Sequence, residues 1–79
     1  MKNNNRIFLS ERELEVLFLI AYEHSNKDIS KKLYISVNTV DTYRRKLFIK
    51  LGASNAPGLI RRAFEQGILP MKKPSSIKA

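Results

Sequence analysis

The segment SNKDISKKLYISVNTVDTYRRKL, residues 25–47, constrains the fold more than any other part of the chain, because it marks two helix starts in close succession. Ser25 followed by Asp28 resembles a capping box with a shortened carboxylate and opens a helix expected over 26–33. Its apolar positions Ile29 and Leu33 are four apart, and it is too short to stand alone. Tyr34 and Ile35 then form a connector. Ser36 caps a second helix that runs through Val37 to about Leu51, where Gly52 supplies a left-handed stop. A short helix, a tight connector and a longer second helix make a helix-turn-helix arrangement.

The flanking sequence adds one helix on each side. Ser10 with Glu13 is a capping box, and Leu9 before the cap with Leu14 after it forms a hydrophobic staple. Leu14, Leu17, Phe18 and Ala21 follow at helical spacing, widened by Val16, Leu19 and Ile20, so a helix is expected over 11–22. Glu11, Glu13 and Glu15 lie near its start, where the helix dipole favours anions. A fourth helix, expected over 56–66, follows Asn55 with Pro57 in its first turn and a stripe of Leu59, Ile60, Ala63, Phe64 and Ile68. Strand patterns are missing, which predicts an all-α, four-helix helix-turn-helix domain over 9–69. The Asn-rich start, residues 1–8, reads as a disordered arm, and PMKKPSSIKA, residues 70–79, as a flexible basic tail.

Composition narrows the function. With 79 residues and 43% hydrophobic content the chain has enough apolar material for one small core. It has no cysteine and a single histidine, so neither a disulfide scaffold nor an all-protein zinc site is expected, and no cofactor. No glycine-rich phosphate loop and no paired carboxylates flank a cleft, and His24 stands alone between two helices as a turn residue; catalysis is not expected. The N-terminus lacks the apolar segment of a secretory signal and no apolar run spans a bilayer, which suits a cytoplasmic protein with no membrane partner. The net charge of +8 is uneven: −1 over residues 1–23, +5 over 24–50 and +4 over 51–79. A basic middle and tail behind a near-neutral start reads as a surface for a polyanion, against the plainer reading of a solubilising surface.

Projection of the third helix at about 100° per residue separates two faces. Val40, Tyr43, Leu47 and Leu51 share one sector, with Arg44 and Phe48 on its flank. The opposite sector holds Asn38, Asp41, Thr42, Arg45, Lys46 and Ile49, a set of donors, acceptors and one apolar group suited to base edges in the major groove. Arg45 can fork onto guanine, Asp41 can accept from a cytosine amino group, and Thr42 can meet a base or a thymine methyl. Lys27, Lys31, Lys32 and Lys50 surround the motif where they can touch phosphates, and the first-turn amides near Asn26 and Val37 can do the same. The plain alternative for each of these residues is a solvated face.

These residues resemble a known family. LSERELEVL, SNKDISKKL, ISVNTV, KLG and GIL occur in the order of the blocks that mark the LuxR-type, or GerE-like, helix-turn-helix domain, and together they span residues 9–69. The resemblance implies a four-helix DNA-binding domain of a bacterial transcription regulator. It implies base contacts from Asp41, Thr42 and Arg45, to which Asn38 and Ile49 are added from the projection. Backbone contacts are implied for Thr39, Lys27 and Lys50, and Lys31, Ser36, Val37, Arg44 and Lys46 are assigned to the same role. In this family the fourth helix often makes the homodimer contact, which makes Leu59, Ala63 and Phe64 candidates for that surface unless the core consumes them.

The chain departs from the family pattern at several positions. Asp41 stands where lysine is usual, Tyr43 where histidine is common and Glu23 where glycine follows the first helix. Ala56 and Gly58 replace an arginine and a better helix former. The expected function is sequence-specific binding of double-stranded DNA by a regulator, with a second copy and RNA polymerase as expected partners. The alternative is a protein-interaction module that docks a polymerase subunit or an acidic partner through the same scaffold.

Overall fold

The computed structural model describes residues 7–77, and the elements in them are four helices. They are α1 (Glu11–Ala21), α2 (Asn26–Leu33), α3 (Val37–Leu51) and α4 (Ala56–Glu65). The expected ends of the first and fourth helices lie one residue further on, at Tyr22 and Gln66; both are C-cap residues here. No helix among the described residues is long and apolar enough to cross a membrane.

Each helix starts where a short polar side chain takes an amide that the helix itself leaves unpaired. The Glu13 amide donates to Ser10 Oγ at 3.1 Å while the Ser10 amide donates to Glu13 Oε1 at 2.8 Å, closing the capping box. Ser25 Oγ accepts from the Asp28 amide at 3.1 Å and Ser36 Oγ from the Thr39 amide at 3.0 Å. Asn55 Oδ1 accepts from the Gly58 amide at 2.8 Å, so α4 begins normally despite its alanine and glycine.

The four helices also stop in the same way. In each, an amide one or two residues past the C-cap reaches back to a carbonyl five residues earlier: His24 to Leu19, Ile35 to Ser30, Ala53 to Phe48 and Ile68 to Ala63. The residue just before that donor sits in the left-handed region, at φ 66° for Glu23, 58° for Tyr34, 68° for Gly52 and 77° for Gly67. Glycine does this without cost, whereas a side chain there is strained. The turn after α1 thus keeps its geometry and strains Glu23, and Tyr34 is a second strained position that no local signal announced. Tyr34 is 93% exposed, so its ring contributes little packing in return. Replacing Glu23 or Tyr34 by glycine is expected to stabilise the fold by up to about 1 kcal/mol each, the relief of left-handed strain exceeding the added freedom of the unfolded chain. Denaturant midpoints check this; an unchanged or lower midpoint for both variants contradicts it.

The core is a single cluster to which every helix contributes. Val16, Leu17 and Leu19 of α1, Ile29 of α2, Val40 and Leu47 of α3, and Leu59 of α4 are the largest of its fully buried side chains. Helix α3 packs against each of the others. Residues 1–6 of the expected arm lie outside the described residues, while the carbonyl of Phe8 accepts from Lys50 Nζ at 3.1 Å. The tail expected to be flexible folds back over α1 within its described part: Ile77 is 5% exposed in the core cluster, and the Ser76 hydroxyl donates to the Glu15 carboxylate. A lone isoleucine among prolines and serines carries no periodicity, so nothing in the local sequence marked it as a core residue.

Candidate nucleic-acid interface

Helix α3 is two-sided, as its projection requires. Val40, Leu47 and Leu51 are buried and Tyr43 half-buried, while Asn38, Thr42, Arg45, Lys46 and Ile49 are exposed on the other side. The α3 helix is therefore anchored along one stripe and bare along the other. Ser36, Val37 and Thr39 form its exposed or half-exposed first turn, with the Ser36 and Thr39 hydroxyls 2.9 Å apart. Lys27 and Lys31 of α2 are exposed and make no ion pair among the described residues. The candidate base-reading residues thus share one face, and the α2 lysines belong to the helix packed beside it.

Several of these side chains already have partners. Arg45 Nη2 lies 3.0 Å from Asp41 Oδ2, an exposed pair one helical turn apart. Exposed pairs of this kind are worth only a few tenths of a kcal/mol, so a stronger acceptor can take the guanidinium away. Asp41, the departure from the family pattern, is thereby half-exposed beside the cation it neutralises rather than facing solvent alone. Thr42 Oγ1 donates to the Asn38 carbonyl at 3.1 Å, which spends its proton on its own helix. The Arg44 guanidinium lies 5.8 Å from the Phe48 ring centre and Lys46 Nζ 5.9 Å from that of Tyr43.

Two groups of candidate residues have other engagements in the tertiary structure. Lys50, assigned to phosphate, directs its ammonium inward to Glu13 Oε1 at 2.8 Å and to the Phe8 carbonyl. It ties the end of α3 to the capping box of α1, and a phosphate contact would have to break that tie. Leu59 and Ala63, candidates for a dimer surface, are each 0% exposed within the monomer's own core, whereas Phe64 is 54% exposed. The core consumes the inner half of the α4 stripe because α4 packs on α3; only its outer edge is available to a partner.

Glu13 is the residue whose tertiary role the local sequence left out. Burial pushes its pKa up, but the hydrogen bond from Lys50, the Ser10 amide, the Lys50 charge and the Ser10 hydroxyl together outweigh that, and its carboxyl is held below the ordinary value of 4.5. A carboxyl lowered in the folded state contributes stability that is complete above its unfolded pKa and lost as pH falls through its folded pKa. The melting temperature is therefore expected to drop on acidification below pH 4.5, and by less in Glu13→Gln, which is less stable at neutral pH. Parallel acid profiles of the two proteins would count against the Glu13–Lys50 tie. Near this site Glu15 is also buried, with Arg12 Nη1 2.9 Å from its Oε1 but poorly aligned for a hydrogen bond.

No group of side chains able to hold a metal occurs among the described residues. A short helix braced against a longer one, whose outer face carries donors, acceptors and cations, defines a helix-turn-helix domain of the DNA-binding class. Residues 8–63 match the pattern of "Bacterial regulatory proteins, luxR family". The chain belongs to that family and is a transcription-regulator domain. It is 43% identical over 61 residues to the oxygen regulatory protein NreC of Staphylococcus aureus, covering 77% of this chain and 28% of that protein. The chain thus spans under a third of the length of the curated relatives it matches. Its fold is similar to that of the Vibrio cholerae VqmA dimer solved without target DNA, with TM-score 0.84 and 31% identity over 99% of this chain and 35% of that one. Similarity to the VqmA–ligand–DNA complex is comparable, with TM-score 0.81 and 32% identity over 96% of this chain and 34% of that one.

Proposed function

We propose that this domain binds double-stranded DNA sequence-specifically by laying α3 in the major groove, as the output element of a bacterial transcription regulator acting in the cytoplasm. The observation that carries this reading is the bare face of α3, where Asn38, Asp41, Thr42, Arg45 and Ile49 stand opposite the buried stripe in a fold of the DNA-binding LuxR class. An α-helix fits the groove, and base edges there offer the donor, acceptor and methyl patterns these side chains can read. The Asp41–Arg45 pair gives the reading a condition: Arg45 reaches a guanine when it exchanges the carboxylate for the base, and Asp41 is then left to accept from a neighbouring amino group.

Lys27, Lys31, Arg44 and Lys46, with the first-turn amides of α3 and the Ser36 and Thr39 hydroxyls, serve the phosphates and set the register. Self-association uses the outer edge of α4 at Phe64, supported by its exposure and by the dimeric state named for VqmA. The domain acts by binding and not by catalysis.

Arg45→Ala is expected to weaken binding to the selected site by about 1 to 3 kcal/mol and to relax the preference at one base pair. Asp41→Asn, in contrast, is expected to raise affinity for random duplex, because a charge that repels phosphate is gone. Selection of bound sequences from a random duplex pool, followed by titration of both variants, tests the pair together. If wild type shows no preference over random duplex, or if Arg45→Ala lowers affinity equally for every sequence, base reading by α3 is wrong. The alternative, a module that docks a polymerase subunit or an acidic partner through this same face, would survive such a result.

A further inference from the structure

A depression of about 480 Å³ lies on the side of the molecule formed by the second half of α1 and the returning tail. Phe18, Tyr22 and Ile77 line its apolar part with Met71, and Lys32 and Lys73 stand among its lining residues. The Phe18 and Tyr22 rings are 4.7 Å apart at 43°, so the aromatic wall is already assembled, and Tyr22 is 65% exposed. Met71 adds a flexible, polarisable side chain that can adjust to a guest. No aspartate or glutamate lines the depression, and neither lysine makes an ion pair among the described residues. None of its lining comes from α3, and Phe64 lines an adjoining depression of about 230 Å³ that shares Phe18, Tyr22 and Met71 with this one. The depression therefore lies off the face of α3 proposed for DNA.

We propose that this depression docks an acidic amphipathic helix of a partner protein, its apolar anchors on Phe18, Tyr22 and Met71 and its carboxylates toward Lys32 and Lys73. The occupant follows from complementarity. An apolar wall with unpaired cations and no carboxylate favours a ligand that is apolar on one side and anionic at its rim, which is how amphipathic helices seat in grooves. A duplex has no apolar side to offer, and a second copy seating this same face would bring no carboxylate to Lys32 and Lys73. The proposal does not depend on how α3 reads bases.

The test uses the whole chain and two labelled peptides of roughly 15 residues, both with Leu and Phe anchors at helical spacing, one filled with glutamate and the other with lysine. Fluorescence anisotropy is expected to show binding of the glutamate peptide alone, unchanged when the protein is saturated with duplex. Tyr22→Ala and the double variant Lys32→Glu/Lys73→Glu are each expected to weaken it at least about tenfold. Arg45→Ala leaves it unchanged, and Tyr22→Ala leaves duplex affinity unchanged. The proposal is overturned by absence of binding, by equal binding of the lysine peptide, or by competition from duplex, which would place the peptide on α3 as a phosphate mimic. It is equally overturned if Tyr22→Ala abolishes self-association while Phe64→Ala does not, since the depression would then hold a second copy. Peptide and duplex are titrated separately, so failure here is distinct from failure of the DNA reading.

Discussion

Affinity for a cognate duplex is expected to fall about a hundredfold per protomer as monovalent salt rises from about 50 to about 200 mM, from a slope near −0.9 per phosphate neutralised. The magnitude follows from Lys27, Lys31, Arg44 and Lys46 as the cations assigned to phosphates, Lys50 being held by Glu13. Had Lys50 been free, the slope would be steeper by about one. If two protomers occupy two half-sites, the exponents add and the loss approaches about 10⁴-fold over the same range. A single salt titration therefore reports both the phosphate count and the stoichiometry. Lys46→Ala should lower the slope by about one and weaken all sequences alike, whereas Lys50→Ala should leave the slope unchanged and lower the melting temperature. A slope indistinguishable from zero would remove the electrostatic basis of DNA binding, and a steeper slope that Lys50→Ala reduces would reverse the assignment of Lys50.

Leu59→Ala is expected to cost about 2 to 5 kcal/mol of folding stability, because a fully buried leucine leaves both lost transfer energy and a cavity. For a domain of 79 residues, whose whole stability is on the order of 5 to 10 kcal/mol, that is a large fraction. Phe64→Ala should cost less than about 1 kcal/mol, since more than half of the ring is already in water. Its effect should instead fall on self-association. Chemical denaturation and sedimentation equilibrium on the two variants separate core from interface. A Leu59→Ala protein of nearly normal stability that has lost its dimer would restore the assignment of Leu59 to the interface.

These expectations rest unequally on sequence. All four helix starts were legible, because a cap is a bond between residues three apart and Ser10, Ser25, Ser36 and Asn55 carry it in their own side chains. The two faces of α3 were legible for the same kind of reason, since helical geometry alone places Val40, Leu47 and Leu51 opposite Thr42, Arg45 and Ile49. The strain at Glu23 followed from the family pattern, while Tyr34 hid in a connector whose handedness shows only once the chain closes back on α2.

Sequence by itself determined the helices, their order, the two-sided α3 helix and the family, each written in residues a few positions apart. Tertiary structure alone decided how individual residues are spent. Lys50 is bound to Glu13 across 37 positions of chain, Leu59 and Ala63 are taken into the core, and Ile77 closes over α1 from the far end. Periodicity reports that a side chain is apolar and which side of its helix it occupies. Whether that side meets this chain's own core, a second copy or solvent depends on how the helices pack, and contacts distant in sequence settle it.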